Sequence, residues 1–263
     1  MKYTEIKTFS NSMIKAIARL GKKSEREEAG EFVVEGEKLV CEAEKSGVKI
    51  IRVLFDLAKK QQFSGILERL ADKGVQLFGC EAEIFQKAAV TTTPQGILAV
   101  CKLDEKSNEL TVSAIKQGGK YIVLQSIQDP GNAGTIVRTA EAFGLDGVVF
   151  TEATVDIYHM KFLRATMGSS FRMPVYFCER CIDAVHMFED KGVHVYATAL
   201  FPGAVSIKDV DITKNAAVII GNEGNGISRE IAENTDCIII PMTGKVNSLN
   251  AAIAASVVMW QMQ

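Results

Sequence analysis

The stretch AAVIIGNEGNGIS, residues 216–228, decides the fold class of this chain. Five apolar residues run without interruption from Ala216 to Ile220, and a polar turn with three glycines follows them. An uninterrupted apolar run is typical of a parallel strand that is covered on both faces. Proteins of the α/β class place their binding sites at the carboxyl ends of such strands. The stretch therefore predicts a buried strand with a functional loop directly after it.

Further apolar runs lie on either side of this stretch, and most of them are separated by helical patterns. The runs are YIVLQ from Tyr121, GVVF from Gly147, PVYF from Pro174, VHVYAT from Val193 and CIIIP from Cys237. Because strands that alternate with helices form parallel sheets, the C-terminal part is predicted to be a mostly parallel α/β sheet with helices on both faces. Residues 32–100 repeat the alternation on a smaller scale and predict a smaller α/β domain ahead of it.

A polar stretch that ends in two glycines, LDEKSNELTVSAIKQGGK from Leu103, predicts a linker between the two domains. We expect an N-terminal domain over residues 1–104, a linker over 105–119 and a C-terminal domain over 120–263.

Composition excludes several classes of protein. The 263 residues are 47% hydrophobic, which is enough for a buried core and argues against disorder. No apolar run reaches the roughly 18 residues of a membrane helix, and the N terminus is too polar for a signal peptide, so we expect a cytoplasmic protein with no membrane partner. The six scattered cysteines are expected to be reduced. Cys178 and Cys181 have CxxC spacing without further ligands nearby, so we expect no metal site.

The net charge and the distribution of basic residues give conflicting indications of whether the chain binds nucleic acid. The net charge of -2 does not suggest a nucleic-acid binder, because such proteins commonly carry a basic surface. Basic residues nevertheless recur at helical spacing and would form a stripe if one helix continues through Gly21; they are Lys15, Arg19, Lys22 and Arg26. The pattern fits contacts to RNA phosphates, and it fits equally a solvated face neutralised by Glu25, Glu27 and Glu28.

Three segments carry a family resemblance: DPGNAGTIVRTA from Asp129, IIGNEGNGIS from Ile219 and IPMTGKVNSLNAA from Ile240. Their order and content resemble the SpoU (TrmH) family of RNA ribose 2'-O-methyltransferases. In the N-terminal part, EFVVEGEKLV and TTTPQGILAV look like the substrate-binding domain often fused ahead of the catalytic domain. The resemblance implies a deep C-terminal trefoil knot, S-adenosylmethionine as cofactor, a homodimer formed through the C-terminal domain, and structured RNA as substrate. Family analogy favours ribosomal RNA over transfer RNA.

In the first segment, residues 129–132 are predicted to form a turn that caps a helix beginning near Gly134. The resemblance places Arg138 where the family carries its proposed catalytic arginine, and a surface pair with Glu141 is the alternative. Because a guanidinium stays protonated, the implied role is to bind the RNA phosphate and the developing ribose alkoxide. For Asn132 two roles are open. It positions Arg138 or the ribose, or it does no more than cap the helix.

The other two segments supply the remaining candidates. In the second, the resemblance assigns Gly221 to the cofactor pocket and Glu223 to orienting motif residues such as Arg138, with a plain turn carboxylate as the alternative for Glu223. In the third, Ser248 and Asn250 are candidates for the methyl-acceptor site or, equally, helix caps. The full set of implied cofactor-binding residues is Thr198, Gly221, Ile240, Met242 and Leu249.

From Ser248 the sequence predicts a helix that is apolar nearly all round. One stripe consists of Leu249, Ala252, Ile253, Val257 and Trp260. Such a helix must be buried nearly all round, and small residues on its second face allow another helix to approach closely. The segment is therefore interpreted as knot closure and as part of the homodimer interface that the resemblance implies.

Between the first two segments, HMKFLRATMGSSFRMPV from His159 resembles a further family stretch that borders the active site. Arg164 is a candidate RNA-binding residue, whereas a surface salt bridge is the better interpretation for Arg172. We expect an S-adenosylmethionine-dependent methyltransferase that acts on a ribose 2'-hydroxyl of structured RNA. The alternatives are a transfer-RNA substrate, a noncatalytic RNA-binding protein of the same fold and, on glycine content alone, a dinucleotide-dependent oxidoreductase.

Overall fold

The structure is a computed structural model that describes residues 1–103, 108–152, 155–244 and 248–263. Internal contacts divide the chain into two compact units. The N-terminal unit consists of Met1–Glu105 and Asp156–Phe171, and the C-terminal unit consists of Lys106–Val155 and Arg172–Gln263. The domain boundaries expected from the sequence stay a prediction, and the segment Asp156–Phe171 packs with the N-terminal unit.

The N-terminal unit is built on a five-stranded mixed sheet. Its strands are β1 (Thr4–Ile6), β2 (Glu31–Glu35), β3 (Ile50–Asp56), β4 (Gln76–Cys80) and β5 (Ile97–Lys102), in the order β1-β4-β3-β5-β2. Its helices are α1 (Ser12–Arg19), α2 (Lys23–Ala29), α3 (Glu37–Lys45), α4 (Ser64–Asp72), α5 (Ala82–Ala88) and α7 (Met160–Thr166). β5 is antiparallel to both neighbours, and the other pairs are parallel. The predicted small α/β domain is confirmed, although the polar N terminus gave no sign of the edge strand β1.

The first two helices are separate, which breaks the predicted basic stripe. α1 ends at Arg19 and α2 begins at Lys23, with Gly21 in the turn between them. Glycine is among the poorest helix formers, so the break at this position has a local cause. The three stripe residues that remain exposed are Lys15, Arg19 and Lys22.

Arg26, the fourth residue of the predicted stripe, is buried. The residue is 3% exposed, and its side chain donates to the Leu20 carbonyl at 2.8 Å and forms an ion pair with Asp156. The prediction of an exposed phosphate-contacting residue is therefore wrong for Arg26. Local spacing could not reveal this burial, because Asp156 lies 130 positions further along the chain.

The C-terminal unit is built on a seven-stranded sheet in which every strand pairing is parallel. Its strands are β6 (Lys120–Gln125), β7 (Gly147–Thr151), β8 (Val175–Cys178), β9 (His194–Thr198), β10 (Val205–Ser206), β11 (Ala216–Ile220) and β12 (Asp236–Ile239), in the order β10-β12-β9-β11-β6-β7-β8. Its helices are α6 (Pro130–Ala142), α8 (Cys181–Asp190), α9 (Arg229–Asn234) and α10 (Ala251–Gln261). The predicted parallel α/β sheet is confirmed, and the trefoil knot stays a prediction.

The strand β11 lies at the centre of this sheet and is fully buried. Ala217 and Ile219 on one face belong to a core that includes residues of α8 and α9. Val218 and Ile220 are also buried, and successive side chains of a strand point to opposite faces. The helices α6 and α10, which pack against each other, contact the sheet at β7 and β11 respectively. Helices thus cover both faces, as an uninterrupted apolar strand requires.

Two helices of the C-terminal unit begin at other positions than predicted. α6 begins at Pro130, before the expected start near Gly134, because Asp129 caps it and accepts a hydrogen bond from the Asn132 amide at 2.8 Å. α10 begins at Ala251 rather than at Ser248. Residues 245–247 of the third segment lie outside the described residues.

The last helix is only partly buried within one chain. Ala251, Ala252, Ala255, Val258 and Met259 are its buried residues. On the other side Ile253, Val257 and Trp260 are 53%, 37% and 68% exposed. An apolar stripe therefore remains on the surface of the single chain, and burial of the helix on nearly all sides, which was expected to include a homodimer interface, stays a prediction.

Candidate active site

A pocket of about 550 Å³ lies at the carboxyl ends of β9, β11 and β12. The loops after these strands and the start of α10 form its walls. The pocket is lined by all five residues predicted to bind the cofactor: Thr198, Gly221, Ile240, Met242 and Leu249. Glu223 and Ser248 line it as well. Segments that are distant in sequence meet here because neighbouring parallel strands end at the same edge of the sheet.

Gly221 is required by the backbone of its own loop. A Cβ atom at this position would lie 2.6 Å from the Gly226 carbonyl oxygen and 2.6 Å from the Ile227 amide nitrogen. No side chain fits at that distance, because Cβ atoms do not approach backbone atoms so closely. The glycine therefore lets the loop after β11 fold back on itself, in addition to lining the pocket.

Asn222 holds this loop together and was missed in the sequence analysis. Its side-chain oxygen accepts hydrogen bonds from the amides of Gly224 and Asn225 at 2.8 and 3.1 Å. Its side-chain nitrogen donates to the Ser126 carbonyl at 2.7 Å, which ties the loop to the end of β6. Asparagine commonly bonds the backbone two residues ahead in turns, so its place before a glycine-rich turn was the available signal.

A second pair at the end of β6 fixes the exit of the same loop. Gln125 is 6% exposed, and its side-chain amide donates to the Ser228 hydroxyl at 2.9 Å. In return, the Ser228 amide donates to the Gln125 side-chain oxygen at 2.9 Å. Both ends of the loop are therefore held against β6, which makes the pocket wall preformed.

Three predicted catalytic residues form one hydrogen-bonded network. The Asn132 side-chain nitrogen donates to Glu223 Oε1 at 2.9 Å. The Asn250 side-chain nitrogen donates to Asn132 Oδ1 at 3.1 Å. Because Asp129 caps α6, the alternative that Asn132 only caps this helix is wrong. Asn132 instead joins the loop after β11 to the start of α10.

Asn250 caps α10 and also joins the network, and its role at the methyl-acceptor site stays a prediction. Its side-chain oxygen accepts from the amides of Ala252 and Ile253 at 2.9 and 3.3 Å, which caps α10. Its side-chain nitrogen is occupied by Asn132. Capping thus fixes the orientation in which Asn250 reaches the network.

Arg138 is exposed on α6 and, within the part of the chain that the structure describes, makes no hydrogen bond or ion pair. Its alternative partner Glu141 instead accepts two hydrogen bonds from Arg172, from Nε at 2.6 Å and from Nη2 at 3.0 Å. The surface pair predicted for Arg172 is confirmed, and the pair of Arg138 with Glu141 is wrong. Glu223 accepts from Asn132, a residue of the first segment, whereas its expected effect on Arg138 stays a prediction. The guanidinium of Arg138 remains available to a ligand.

The candidate RNA-binding residues belong to the N-terminal unit. Lys15, Arg19 and Lys22 are exposed on or beside α1, and Arg164 is exposed on α7. Arg26 is buried in its ion pair with Asp156.

The cysteines are all unpaired thiols. Burial raises the pKa of Cys181 to about 12 and also raises the pKa of Cys178. Both are therefore protonated at neutral pH, which leaves the CxxC pair without a reactive thiolate. Among the described residues, no group of three or more His, Cys, Asp or Glu is placed to hold a metal ion, and no helix is both long and apolar enough to span a membrane.

Comparison with known families supports two matches. Residues 119–260 match the SpoU rRNA Methylase family. Residues 11–99 match the MRM3-like substrate binding domain. The two matches correspond to the C-terminal sheet with its pocket and to the N-terminal sheet.

Individual relatives are similar over nearly the full length. The 23S rRNA (guanosine(2553)-2'-O)-methyltransferase RlmP of Bacillus subtilis is 34% identical, over 98% of this chain and 99% of its own length. An uncharacterized tRNA/rRNA methyltransferase of Synechocystis is 30% identical over 97% of this chain and 92% of its own length. The crystal structure of an AdoMet-bound rRNA methyltransferase from Sinorhizobium meliloti is 28% identical, with a TM-score of 0.85 and coverage of 99% and 97% of the two chains. The pocket, the network and these matches together place the chain in the SpoU family of rRNA methylases, to which it belongs.

Proposed function

We propose that this protein transfers a methyl group from S-adenosylmethionine to a ribose 2'-hydroxyl of ribosomal RNA. The observation that carries the proposal is the convergence of the three family segments on one pocket and one polar network. Support also comes from the Bacillus subtilis relative, which is described as a 23S rRNA 2'-O-methyltransferase, and from the Sinorhizobium meliloti structure, which is described as AdoMet-bound.

The residues of the pocket fit S-adenosylmethionine. Ile238, Ile240 and Leu249 provide apolar surface suited to the adenine ring. The backbone of the loop after β11 is exposed around Gly224 and Gly226, where polar groups of a ligand can be bound. A volume of about 550 Å³ lies within the usual range of small-molecule sites. The bound cofactor would supply an electrophilic methyl group on its sulfonium sulfur.

The chain's own residues have the task of binding and aligning the ribose. Arg138 is proposed to bind the RNA phosphate and to stabilise the negative charge that develops on the 2'-oxygen. A guanidinium stays protonated, so the proton of the hydroxyl passes to another acceptor, for which the RNA phosphate is our candidate. The network of Asn132, Glu223 and Asn250 is proposed to hold the acceptor site in place, and Ser248 lies on the adjoining pocket wall.

The N-terminal unit is proposed to select the RNA. It matches a substrate-binding domain, and its exposed basic residues Lys15, Arg19, Lys22 and Arg164 are suited to phosphates. Ribosomal RNA is preferred to transfer RNA on the strength of the Bacillus subtilis relative. A bacterial ribosomal RNA substrate also supports a cytoplasmic location.

The stripe of Ile253, Val257 and Trp260 is proposed to form the homodimer interface. These side chains recur every three or four residues along α10, so they lie on one face of the helix. An apolar stripe of this kind is suited to the same helix of a second copy across a two-fold axis. Such a dimer would bring a second chain to the C-terminal unit, and Arg138 would then act either within its own subunit or across the interface.

Transfer of labelled methyl from S-adenosylmethionine to total unmodified RNA tests the proposal. We expect alkali-resistant 2'-O label in the ribosomal fraction, loss of it in Arg138→Ala, and retention in Arg180→Ala. Arg180 is a matched control because it is an exposed arginine of the same unit that pairs with Glu230 and does not line the pocket. Label in the transfer-RNA fraction alone would favour the alternative substrate. Cofactor binding without label in any fraction would favour a noncatalytic RNA-binding protein.

A further inference from the structure

A second cavity, of about 470 Å³, lies within the N-terminal unit, and every residue that lines it belongs to that unit. Its apolar surface comes from Leu20, Val33 and Met160, which are all buried. Its basic surface comes from Arg164 and Lys161 of α7. The volume is within the usual range of small-molecule sites, and the lining combines an apolar surface with a basic one.

One wall of the cavity is held by a buried carboxylate. Glu35 is 6% exposed and accepts hydrogen bonds from the amides of Val90 and Thr91 at 3.0 and 3.2 Å. The Thr91 hydroxyl donates to the same carboxylate. These three hydrogen bonds compensate the negative charge of Glu35. They also fix the segment that carries Thr91 and Thr92 along the cavity wall.

Another wall is held by the ion pair between Arg26 and Asp156. Arg26 also donates to the Leu20 carbonyl, so the pair joins the turn after α1 to the segment that leads into α7. Tyr158, which follows Asp156 in this segment, packs its ring against Phe32 with 4.7 Å between ring centroids. The aromatic ring at the cavity is therefore anchored, and both walls exist before any ligand binds.

The charge of the cavity favours an anion. In the described part of the chain, no Asp or Glu lines it. Asp156 compensates Arg26, whereas Arg164 is exposed and makes no hydrogen bond or ion pair with any described residue. A ligand at this place would meet the uncompensated guanidinium of Arg164 beside apolar and aromatic surface, with threonine hydroxyls at Thr91 and Thr92.

We propose that this cavity binds one unpaired nucleotide of the RNA substrate. The base lies against the apolar surface beside Tyr158, the Thr92 hydroxyl bonds its edge, and Arg164 binds its phosphate. A base within a continuous duplex could not enter, because its faces are covered by its neighbours. This inference rests on the proposed function, because it assumes that the substrate is RNA. It further specifies that an unpaired nucleotide of that RNA is recognised.

Binding of two RNA hairpins to the full-length protein tests the proposal. One hairpin carries a single bulged nucleotide, with each of the four bases in turn, and the other has the same stem fully paired. We expect the wild type to bind at least one bulged hairpin about fivefold or more tightly than the paired one, which corresponds to the lower bound for stacking one base. Thr92→Trp should abolish this preference by filling the cavity from its exposed rim, while binding of the paired stem is retained.

Arg164→Ala should weaken binding of the bulged hairpin more than binding of the paired stem. Arg69→Ala is the matched control, because it removes an arginine of the same unit that pairs with Glu44 on α3. The circular dichroism spectrum and thermal unfolding of all three variants should match those of the wild type, which verifies that the N-terminal unit carrying the substitutions is folded. Equal affinity of the wild type for both hairpins, or a preference that survives in Thr92→Trp, would overturn the inference. The experiment measures RNA binding and not methyl transfer. The result can therefore be interpreted even if the protein lacks the proposed methyltransferase activity.

Discussion

Asn132 and Asn250 lie 118 positions apart in the sequence, and the side chain of one donates directly to the side chain of the other. Asn132 also donates to Glu223, so three separate segments of the chain meet at one amide. Each of its two side-chain polar atoms has a partner, which fixes the orientation of the amide group. The network therefore acts as a clamp between α6, the loop after β11 and the start of α10.

Removal of this clamp should impair catalysis more than cofactor binding. In Asn132→Ala we expect methyl transfer at saturating cofactor to fall on the order of 100-fold, because small displacements of reacting groups have effects of that size. The affinity for S-adenosylmethionine should be retained, since Asn132 does not line the pocket. Single-turnover kinetics and calorimetric titration measure the two quantities. Asn234→Ala, which removes an exposed amide bonded to the Glu230 carbonyl on α9, should have neither effect. Transfer at the wild-type rate in Asn132→Ala would show that the clamp has no role in the reaction.

Addition of one methyl group at Gly221 should disrupt the pocket wall. In Gly221→Ala the new Cβ meets backbone atoms of Gly226 and Ile227, which cannot move independently of the loop. We expect the free energy of unfolding to fall by about 1 to 3 kcal/mol, as in other overpacked sites, and cofactor affinity to fall with it. Chemical denaturation and calorimetric titration check both.

Gly65→Ala is the control for this substitution. Its Cβ would meet only the end of the Arg69 side chain, at 3.8 Å, and alanine is the better helix former. We expect unchanged cofactor affinity and an equal or higher Tm. If Gly221→Ala binds the cofactor as the wild type does, the close backbone approach is not needed for the pocket.

The elements with uninterrupted apolar sequence were the ones that could be predicted. The strands β6, β7, β8, β9, β11 and β12 all follow from apolar runs. Burial on both faces explains the runs of β6, β7 and β11, whereas β8, β9 and β12 contain partly exposed residues. The convergence of the predicted cofactor residues on one pocket follows from the parallel sheet and the family resemblance together. The start of α6 was misplaced because Asp129 and Pro130 form the helix start, whereas the sequence was interpreted as a longer turn.

Contacts between distant segments could not be predicted. The burial of Arg26 depends on Asp156, and the packing of Asp156–Phe171 with the N-terminal unit has no local signature in the sequence. The partner of Asn132 was likewise hidden, because capping and bridging asparagines look the same in a single sequence. The local sequence pattern therefore predicted which polar residues belong to the site, but it did not predict the residues with which they interact.

The exposed stripe of α10 should determine the oligomeric state. In Ile253→Glu a charge replaces a side chain that is 53% exposed in the single chain, so the fold should tolerate it. We expect sedimentation velocity to show a dimer for the wild type and a monomer for this variant, because a charge is costly in an apolar interface. Val112→Glu, at an apolar residue that is 38% exposed on a different segment, should remain a dimer. A monomeric wild type would refute the proposed interface.

The free energy of unfolding at alkaline pH should depend on the ionisation of the Cys181 thiol. Burial raises its pKa from 9.0 to about 12, so the thiol stays protonated in the folded chain at pH values where it ionises in the unfolded chain. The contribution of this group to stability is therefore fully present below about pH 9 and is lost as the pH rises toward 12. Between pH 7 and pH 10, the free energy of unfolding of the wild type should fall by about 1.4 kcal/mol more than that of Cys181→Ala. The comparison cancels the other titrating groups, which both proteins share. Urea unfolding measures this free energy for both proteins. An equal decrease in the wild type and in Cys181→Ala would show that the thiol is not shielded. Rapid modification of Cys181 by a thiol reagent in the folded protein at pH 8 would show the same.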